Sequence, residues 1–125
     1  MASLKENAIT LLAQATVNLQ NADPKSTIYT VPSGKSMIAM FVVIRNPTAS
    51  LAGGTDFDLG DGAGADTWVN TVDLSSMTAT TDFYVIDGSG TKYTVFDAGD
   101  VFGIIPVTGA TLDADATAEL FGYLF

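Results

Sequence analysis

The amino-acid sequence predicts an all-β protein, an antiparallel β-sandwich of about eight strands. Apolar segments recur along the chain at a spacing of roughly ten residues, which is typical of a sandwich or barrel. Turn sequences rich in Gly, Asp, Asn and Pro separate these segments. A sandwich of this size is most often a jelly roll, so we expect one jelly-roll domain over residues 14–125 behind a short N-terminal arm over residues 1–13.

Composition limits what the protein can do. With 125 residues the chain is long enough for one domain with its own core. Cysteine is absent, which excludes disulfides and thiolate metal ligands. The formal charge of -9, with Arg45 as the single arginine, argues against a nucleic-acid partner, because binding to a phosphate backbone needs clustered Lys and Arg.

Membrane and export signals are not evident in the sequence. No apolar run approaches the ~18 residues of a transmembrane helix, and the stretch MASLKENAITLLAQ lacks the regions of a signal peptide. We therefore expect a protein made in the cytoplasm, without a membrane partner. Apolar residues make up 47% of the chain, and contacts between copies are the simplest way to bury them.

The N-terminal segment has two interpretations. Ser3 and Glu6 have the spacing of a capping box, which favours a short helix, whereas the alternative is an extended arm that leads into a strand. Apolar and polar residues alternate over residues 14–20 and predict a half-exposed strand. A turn over residues 21–26 then leads to a second strand, residues 27–31.

The stretch SMIAMFVVIRN, residues 36–46, predicts a strand that is apolar on both faces. Strict alternation places Met37, Ala39, Phe41 and Val43 on one face and Ile38, Met40, Val42 and Ile44 on the other. A strand buried on both faces is usual in a parallel sheet covered by helices, but the sequence shows few signs of helices. We expect another copy of the chain to cover the second face.

The remaining segments continue the strand pattern. Phe57 and Leu59 point inward from a strand that precedes a Gly-rich loop, and residues 75–81 predict a polar loop. Four further apolar segments follow, DFYVID, TKYTVFD, VFGIIPV and AELFGYLF. The last is again apolar on both faces, with Leu120 and Leu124 on one and Phe121, Tyr123 and Phe125 on the other.

Two groups of carboxylates suggest chemistry, and each has a simpler interpretation. Asp56, Asp58, Asp61 and Asp66 surround a Gly-rich loop that could bind Ca²⁺, although no bidentate Glu closes it and solvated acidic turns are common. The pairs Asp56 with Asp58 and Asp97 with Asp100 could act as acid and base. With no His and no Cys in the chain, we expect no enzymatic activity and no cofactor.

Aromatic side chains along the strands also have two interpretations. They could line a sugar site, but their alternation within apolar segments favours packing in the core. Trp68, beside the Gly-rich loop, is the residue whose exposure distinguishes the two.

Three sequence features together carry a family resemblance. They are YTVPSGK (residues 29–35), VVIRNPTASLAGGTDFDLG (residues 42–60) and the terminal FGYLF. The combination resembles small virion proteins of tailed bacteriophages, in particular capsid decoration, or cement, proteins. The resemblance implies a jelly-roll-like trimer on the outside of the head that joins adjacent major capsid subunits, with no catalytic residues. It also implies that the N-terminal arm contacts the capsid, here through Leu4, Ile9, Leu11 and Leu12.

We therefore expect a homotrimer whose partners are itself and a major capsid protein, on the outer surface of a phage head. The expected interface between copies comprises Ile38, Met40, Val42, Ile44, Phe121, Tyr123 and Phe125. The alternative is a tail or fibre module that recognises a host glycan through loops at residues 60–68 or 75–81.

Overall fold

A computed structural model describes residues 9–88 and 94–125 of the chain. Within these residues the protein is all-β, with nine strands in two sheets and no helix, so no helical segment of this part is long and apolar enough to span a membrane. The strands are β1 Thr10–Asn18, β2 Ser26–Thr30, β3 Met37–Arg45, β4 Asp56–Gly60, β5 Val69–Val72, β6 Phe83–Asp87, β7 Val95–Phe96, β8 Val101–Thr108 and β9 Asp115–Leu124. The prediction of an antiparallel β-sandwich is confirmed, and the two-residue β7 lies within the predicted segment TKYTVFD.

The strands divide between two sheets that we name by position. The front sheet has the order β1-β9-β3-β6, and β7 pairs with β3 beyond the end of β6. The back sheet has the order β2-β8-β4-β5. Every pairing between named strands is antiparallel. The strand orders show that the chain passes repeatedly from one sheet to the other.

The core lies between the two sheets and is aromatic at its centre. Phe57 and Leu59 are fully buried, as the sequence predicts. Phe102 meets the ring of Trp68 at 5.3 Å and that of Phe96 at 5.4 Å, both edge to face. Trp68 is only 7% exposed, and its indole N–H donates to the Ala39 carbonyl at 3.2 Å. The structure therefore places Trp68 in the core and not in a surface sugar site.

A β-bulge in β3 changes which side chains this strand buries. Ala39 lies opposite Gly122 and Phe41 lies opposite Phe121, so Met40 is an extra residue without a partner in β9. Because side chains alternate with a period of two, one extra residue reverses the faces of everything that follows. The interface predicted at Val42 and Ile44 is therefore wrong, because both side chains are fully buried in the core beside Leu120.

Glycine at position 122 allows the chain to bulge at this level. A Cβ atom there would lie 2.4 Å from the carbonyl oxygen of Ile38 and 3.2 Å from the side chain of Leu12. β1, the other neighbour of β9, carries its own bulge between Leu11 and Ala13. The two strands that flank β9 thus bulge within one residue of each other, on either side of the level of Phe121.

The first strand begins inside the segment that the sequence assigns to an N-terminal arm. β1 begins at Thr10, so residues 10–13 belong to the front sheet and form neither an arm nor a helix. Leu4, which the resemblance placed in a capsid contact, lies outside the described residues. Of the predicted arm, Ile9 remains as the described residue before the sheet.

Candidate functional site: the outer face of the front sheet

The side of the front sheet that faces away from the back sheet carries a group of apolar side chains beside a polar region that includes Gln14, Thr16 and Thr117. We call this side the outer face. Register places its side chains in rows across the strands, because residues directly opposite one another point to the same side. Its apolar members are Leu11, Ile38, Phe41, Val43, Phe83, Val85, Val95, Phe121 and Tyr123. In an antiparallel sandwich this side is usually polar and solvated, so the row of apolar residues requires an explanation.

Two stacked rings form the centre of the outer face. Phe41 and Phe121 lie opposite each other in register, with ring centroids 4.7 Å apart and planes inclined by 16°. Leu11 extends the same row on the other side of Phe121. An aromatic pair of this kind contributes about 0.5–1.5 kcal/mol beyond the area that it buries. The pair gives the outer face an aromatic centre.

The border of the outer face is open to solvent. Phe83 is 69% exposed, Val95 49%, Leu11 46% and Val85 45%. Single exposed apolar residues are ordinary, but contiguous apolar patches rimmed by polar residues mark sites of protein association. Phe125, just beyond β9, is 52% exposed and lies with its ring centroid 6.1 Å from that of Tyr123.

One ion pair lies within this apolar surface. Arg45 Nε donates to Glu119 Oε1 at 2.8 Å, and the two side chains are 37% and 17% exposed. Arg45 Nη1 also donates to Asn46 Oδ1 at 2.7 Å, and Gln14 Nε2 to Glu119 Oε2 at 3.4 Å. The pair balances the charge of Glu119, whereas Asp87, opposite Phe41 in register, adds a carboxylate to the outer face.

The residues predicted for an interface between copies divide into three groups. Ile38, Phe121 and Tyr123 lie on the outer face, and the exposed Phe125 adjoins it. Met40 is the partly exposed bulge residue. Val42 and Ile44 belong to the core, as described above.

Sequence reasoning missed five members of the outer face. Phe41 and Val43 were assigned to the opposite side because strict alternation ignores the bulge. The members supplied by β6 and β7 are Phe83, Val85 and Val95. The one sequence signal for the bulge is Gly122 inside an apolar strand, since an isolated strand glycine often marks a bulge or a close backbone approach.

The residues predicted to contact a capsid differ in accessibility. Ile9 is 51% exposed, and Leu11 reaches the outer face. Leu12 is the extra residue of the β1 bulge; it is partly buried and packs against the core. Of the described residues in that prediction, two are therefore accessible to a partner.

The acidic Gly-rich loop is held together by contacts within the chain. Asp58 Oδ1 accepts the Thr71 backbone N–H at 3.0 Å, and Asp61 accepts a hydrogen bond from the Thr67 hydroxyl. Lys25 Nζ donates to the carbonyl oxygens of Gly62 at 2.8 Å and Val101 at 2.7 Å. Over residues 9–88 and 94–125 no group of three acidic side chains is arranged to hold a metal ion. The cation at this loop is an ammonium of the chain itself.

The two carboxylate pairs differ in their local hydrogen bonding. Asp100 Oδ2 accepts the Asp97 backbone N–H at 2.8 Å and so closes a turn. Burial, and then the charge of Asp58, raises the pKa of Asp56. Asp56 Oδ1 is buried and has no hydrogen-bond partner among the described residues.

Comparison of the chain with protein-family models, with curated proteins and with solved structures found no match. The function is therefore inferred from the geometry of the outer face and of its surroundings.

Proposed function

We propose that the protein is a structural virion protein, a decoration or cement protein that forms a homotrimer on the head of a tailed bacteriophage and joins major capsid subunits. The observation that carries the proposal is the outer face, an apolar surface built around the stacked rings of Phe41 and Phe121. Exposed apolar side chains that extend over several strands suit contact with another protein better than contact with a small ligand, which binds in concave sites.

If a second copy binds, charge favours contact through the outer face over contact through other surfaces. Copies that each carry a formal charge of -9 repel one another over most of their surfaces. At the centre of the outer face the charge of Glu119 is balanced by Arg45 at 2.8 Å. Two copies can therefore approach through this surface at the lowest electrostatic cost and bury apolar side chains at about 25 cal/mol per Å².

The strand pairing supports the jelly-roll form of the sandwich, which decoration proteins of the resembled family share. When the short β7 is left aside, the first strand pairs with the last, β2 with β8, β3 with β6 and β4 with β5. This nested pairing of eight strands is what results when two Greek keys are wound into two sheets.

The capsid contact of the proposed trimer uses the rim near the start of β1. Ile9 and Leu11 are about half exposed and lie where the chain enters the front sheet. A protein that binds only the assembled shell stabilises that shell by mass action, and three linked copies bind it more tightly than one copy. The mechanism is therefore mechanical: many weak contacts resist expansion of the head.

Mass measurement in solution tests the self-association. At low micromolar concentration, multi-angle light scattering should give three times the chain mass of 13.0 kDa. Phe41→Gln should lower the mass to that of one chain, whereas Val107→Gln should leave it unchanged, because Val107 is 52% exposed on the back sheet. A wild-type monomer, or a trimer indifferent to Phe41→Gln, contradicts the proposal.

Copy number in the virion tests the cement role. Hundreds of copies over the head, together with earlier loss of DNA on heating of heads that lack the protein, are the expected results. A few copies at the tail would instead favour a receptor-binding module. Equal heat resistance of heads with and without the protein would contradict the cement role even if the trimer forms.

A further inference from the structure

β6 ends the front sheet with a regular edge that is open among the described residues. Its pairing with β3 runs without a register shift. Two backbone hydrogen bonds bracket this pairing. The Asn46 N–H donates to the Asp82 carbonyl at 3.0 Å, and the Gly88 N–H donates to the Met40 carbonyl at 3.2 Å. In an antiparallel pair the backbone N–H and C=O groups of every second residue point toward the partner strand. Those of the residues in between point away from it. Those whose N–H and C=O groups point away from β3 are Phe83, Val85 and Asp87.

The other edges of the sandwich are blunted, and β6 is not. β1 and β2 each carry a bulge, and they are joined by a hydrogen bond from Asn18 N–H to Ser26 Oγ at 2.9 Å. β5 pairs irregularly with β4 and contains Thr71 at φ 57°, a left-handed conformation that β-branched residues rarely adopt. Proteins protect free edges with bulges, Lys or Pro, and β6, with the sequence FYVID, has none of these.

We propose that β6 pairs antiparallel with β6 of a second copy across a two-fold axis, with Val85 opposite Val85, so that two front sheets become one continuous sheet. This register sets Phe83 opposite Asp87 at both ends and uses all three outward-facing residues of each copy. A register that sets Val85 opposite Phe83, or Val85 opposite Asp87, leaves only two of the three outward-facing residues paired. The chosen register also keeps the Asp87 carboxylates of the two copies apart.

A groove beside β6 has room for the side chains that this pairing brings in. It has a volume of about 430 Å³ and lies between β5 and β6, with Val69, Val72, Tyr84 and Ile86 in its walls. In the proposed register Tyr84 lies opposite Ile86 of the second copy, on the side of the sheet that faces this groove. Each copy thus places a tyrosine ring at the groove of the other.

The edge contact differs from the proposed trimer contact and adds to it. The trimer covers the outer face of the front sheet, whereas edge pairing extends that sheet sideways. Each trimer would present three β6 edges to its neighbours. Edge pairing therefore links neighbouring trimers, as a connected layer on a shell requires, and the inference rests on the proposed function only for this role.

The test uses Phe41→Gln protein, in which the trimer contact is removed. Its mass by sedimentation equilibrium should rise from one chain to two as its concentration increases, more readily at high salt, because both copies are acidic. A second substitution, Val85→Pro, removes a backbone N–H that points away from β3. A free edge tolerates this loss, but the dissociation constant of the β6 pair should rise at least about tenfold. Val85→Thr, added instead, keeps this N–H, so the variant should pair as Phe41→Gln protein does.

A spin label gives a second readout of the register, because the chain has no cysteine of its own. Labelled Val85→Cys should show strong spin–spin broadening at dimer concentrations, and labelled Val107→Cys on the back sheet should show none. If Phe41→Gln protein stays monomeric, or if Val85→Pro pairs as well as Val85→Thr, the edge contact is refuted and the trimer is unaffected. If wild-type protein is monomeric at low concentration but Val85→Pro still abolishes a dimer, the edge contact holds and the trimer fails.

Discussion

Two neighbouring valines in β3 offer the sharpest test of the structure. Val42 is fully buried between the sheets, whereas Val43 lies on the outer face, because the bulge at Met40 reverses the alternation of the strand. A strand without the bulge would reverse these assignments. The same substitution to Ala at both positions changes strand propensity equally, so the difference between the variants reports the burial of each side chain.

The magnitude follows from the burial of each residue. Val42→Ala removes two buried methyl groups, at about 0.8 kcal/mol each, and leaves a cavity, so we expect a loss of about 2–3 kcal/mol in the free energy of unfolding. Val43→Ala removes the same atoms from a partly exposed surface and should cost less than about 1 kcal/mol. For a chain of this size, 1 kcal/mol corresponds to about 4 °C in thermal midpoint. The variants should therefore melt several degrees apart.

Urea and thermal unfolding measure both variants, and the protein concentration must be varied. If the outer face is covered by other copies, Val43→Ala also weakens association, and this part of its effect disappears on dilution. Val42→Ala should keep its full cost at every concentration. An equal or larger loss for Val43→Ala in dilute protein would refute the bulge and with it the assignment of the outer face.

Two further predictions test the local structure around β9 and β4. Gly122→Ala should destabilise the protein by about 1–3 kcal/mol, because the new methyl group would meet a backbone carbonyl of β3 at 2.4 Å; Gly64→Ala, whose added Cβ has no neighbour closer than 3.7 Å, should cost nothing in the same urea titration. Asp56→Asn should raise the thermal midpoint at pH 7, because burial first and the charge of Asp58 second raise the pKa of Asp56 in the folded protein. A raised carboxyl pKa contributes stability below the unfolded value of about 3.9, and this contribution is lost as the pH rises through the folded value. Wild type and Asp56→Asn should therefore be equally stable near pH 3, and their stabilities should diverge above it. Asp113→Asn, which removes an exposed charge, serves as the control. A constant difference from pH 3 to 7 would show that the carboxyl group of Asp56 does not titrate in this way.

Much of the fold could be predicted from the sequence because strands and turns leave local signals. Pro and Gly end the strands, and alternation identified Phe57 and Leu59 as inward-facing. Alternation also divided β9 correctly, with Leu120 buried and Phe121 on the outer face, because β9 itself contains no extra residue. The predicted segment TKYTVFD contains β7, although a strand of two residues has no period of its own.

The composition of the outer face could not be predicted, for a physical reason. β3 is apolar at eight consecutive positions, so moving its register by one residue changes no hydrophobic match and the sequence pattern carries no information on the bulge. The signal for the bulge lies in β9, at Gly122. It can be interpreted only when β3 and β9 are known to be neighbours. The prediction for residues 10–13 was wrong for a similar reason, because Leu11 and Leu12 fit a helical face as well as a bulged strand.

The bulge also explains why β3 can be apolar throughout without exposing a surface that binds indiscriminately. It assigns the side chains of Val42 and Ile44 to the core and leaves Phe41 and Val43 for the outer face. Within that face the Arg45–Glu119 pair lies beside Val43, on neighbouring strands. A buried or half-buried ion pair contributes little net stability, but it penalises any docking geometry that covers one charge without a partner. In the proposed trimer, the apolar surface around Phe41 and Phe121 would supply the driving force for association, and the ion pair would restrict the orientations in which a second copy can bind.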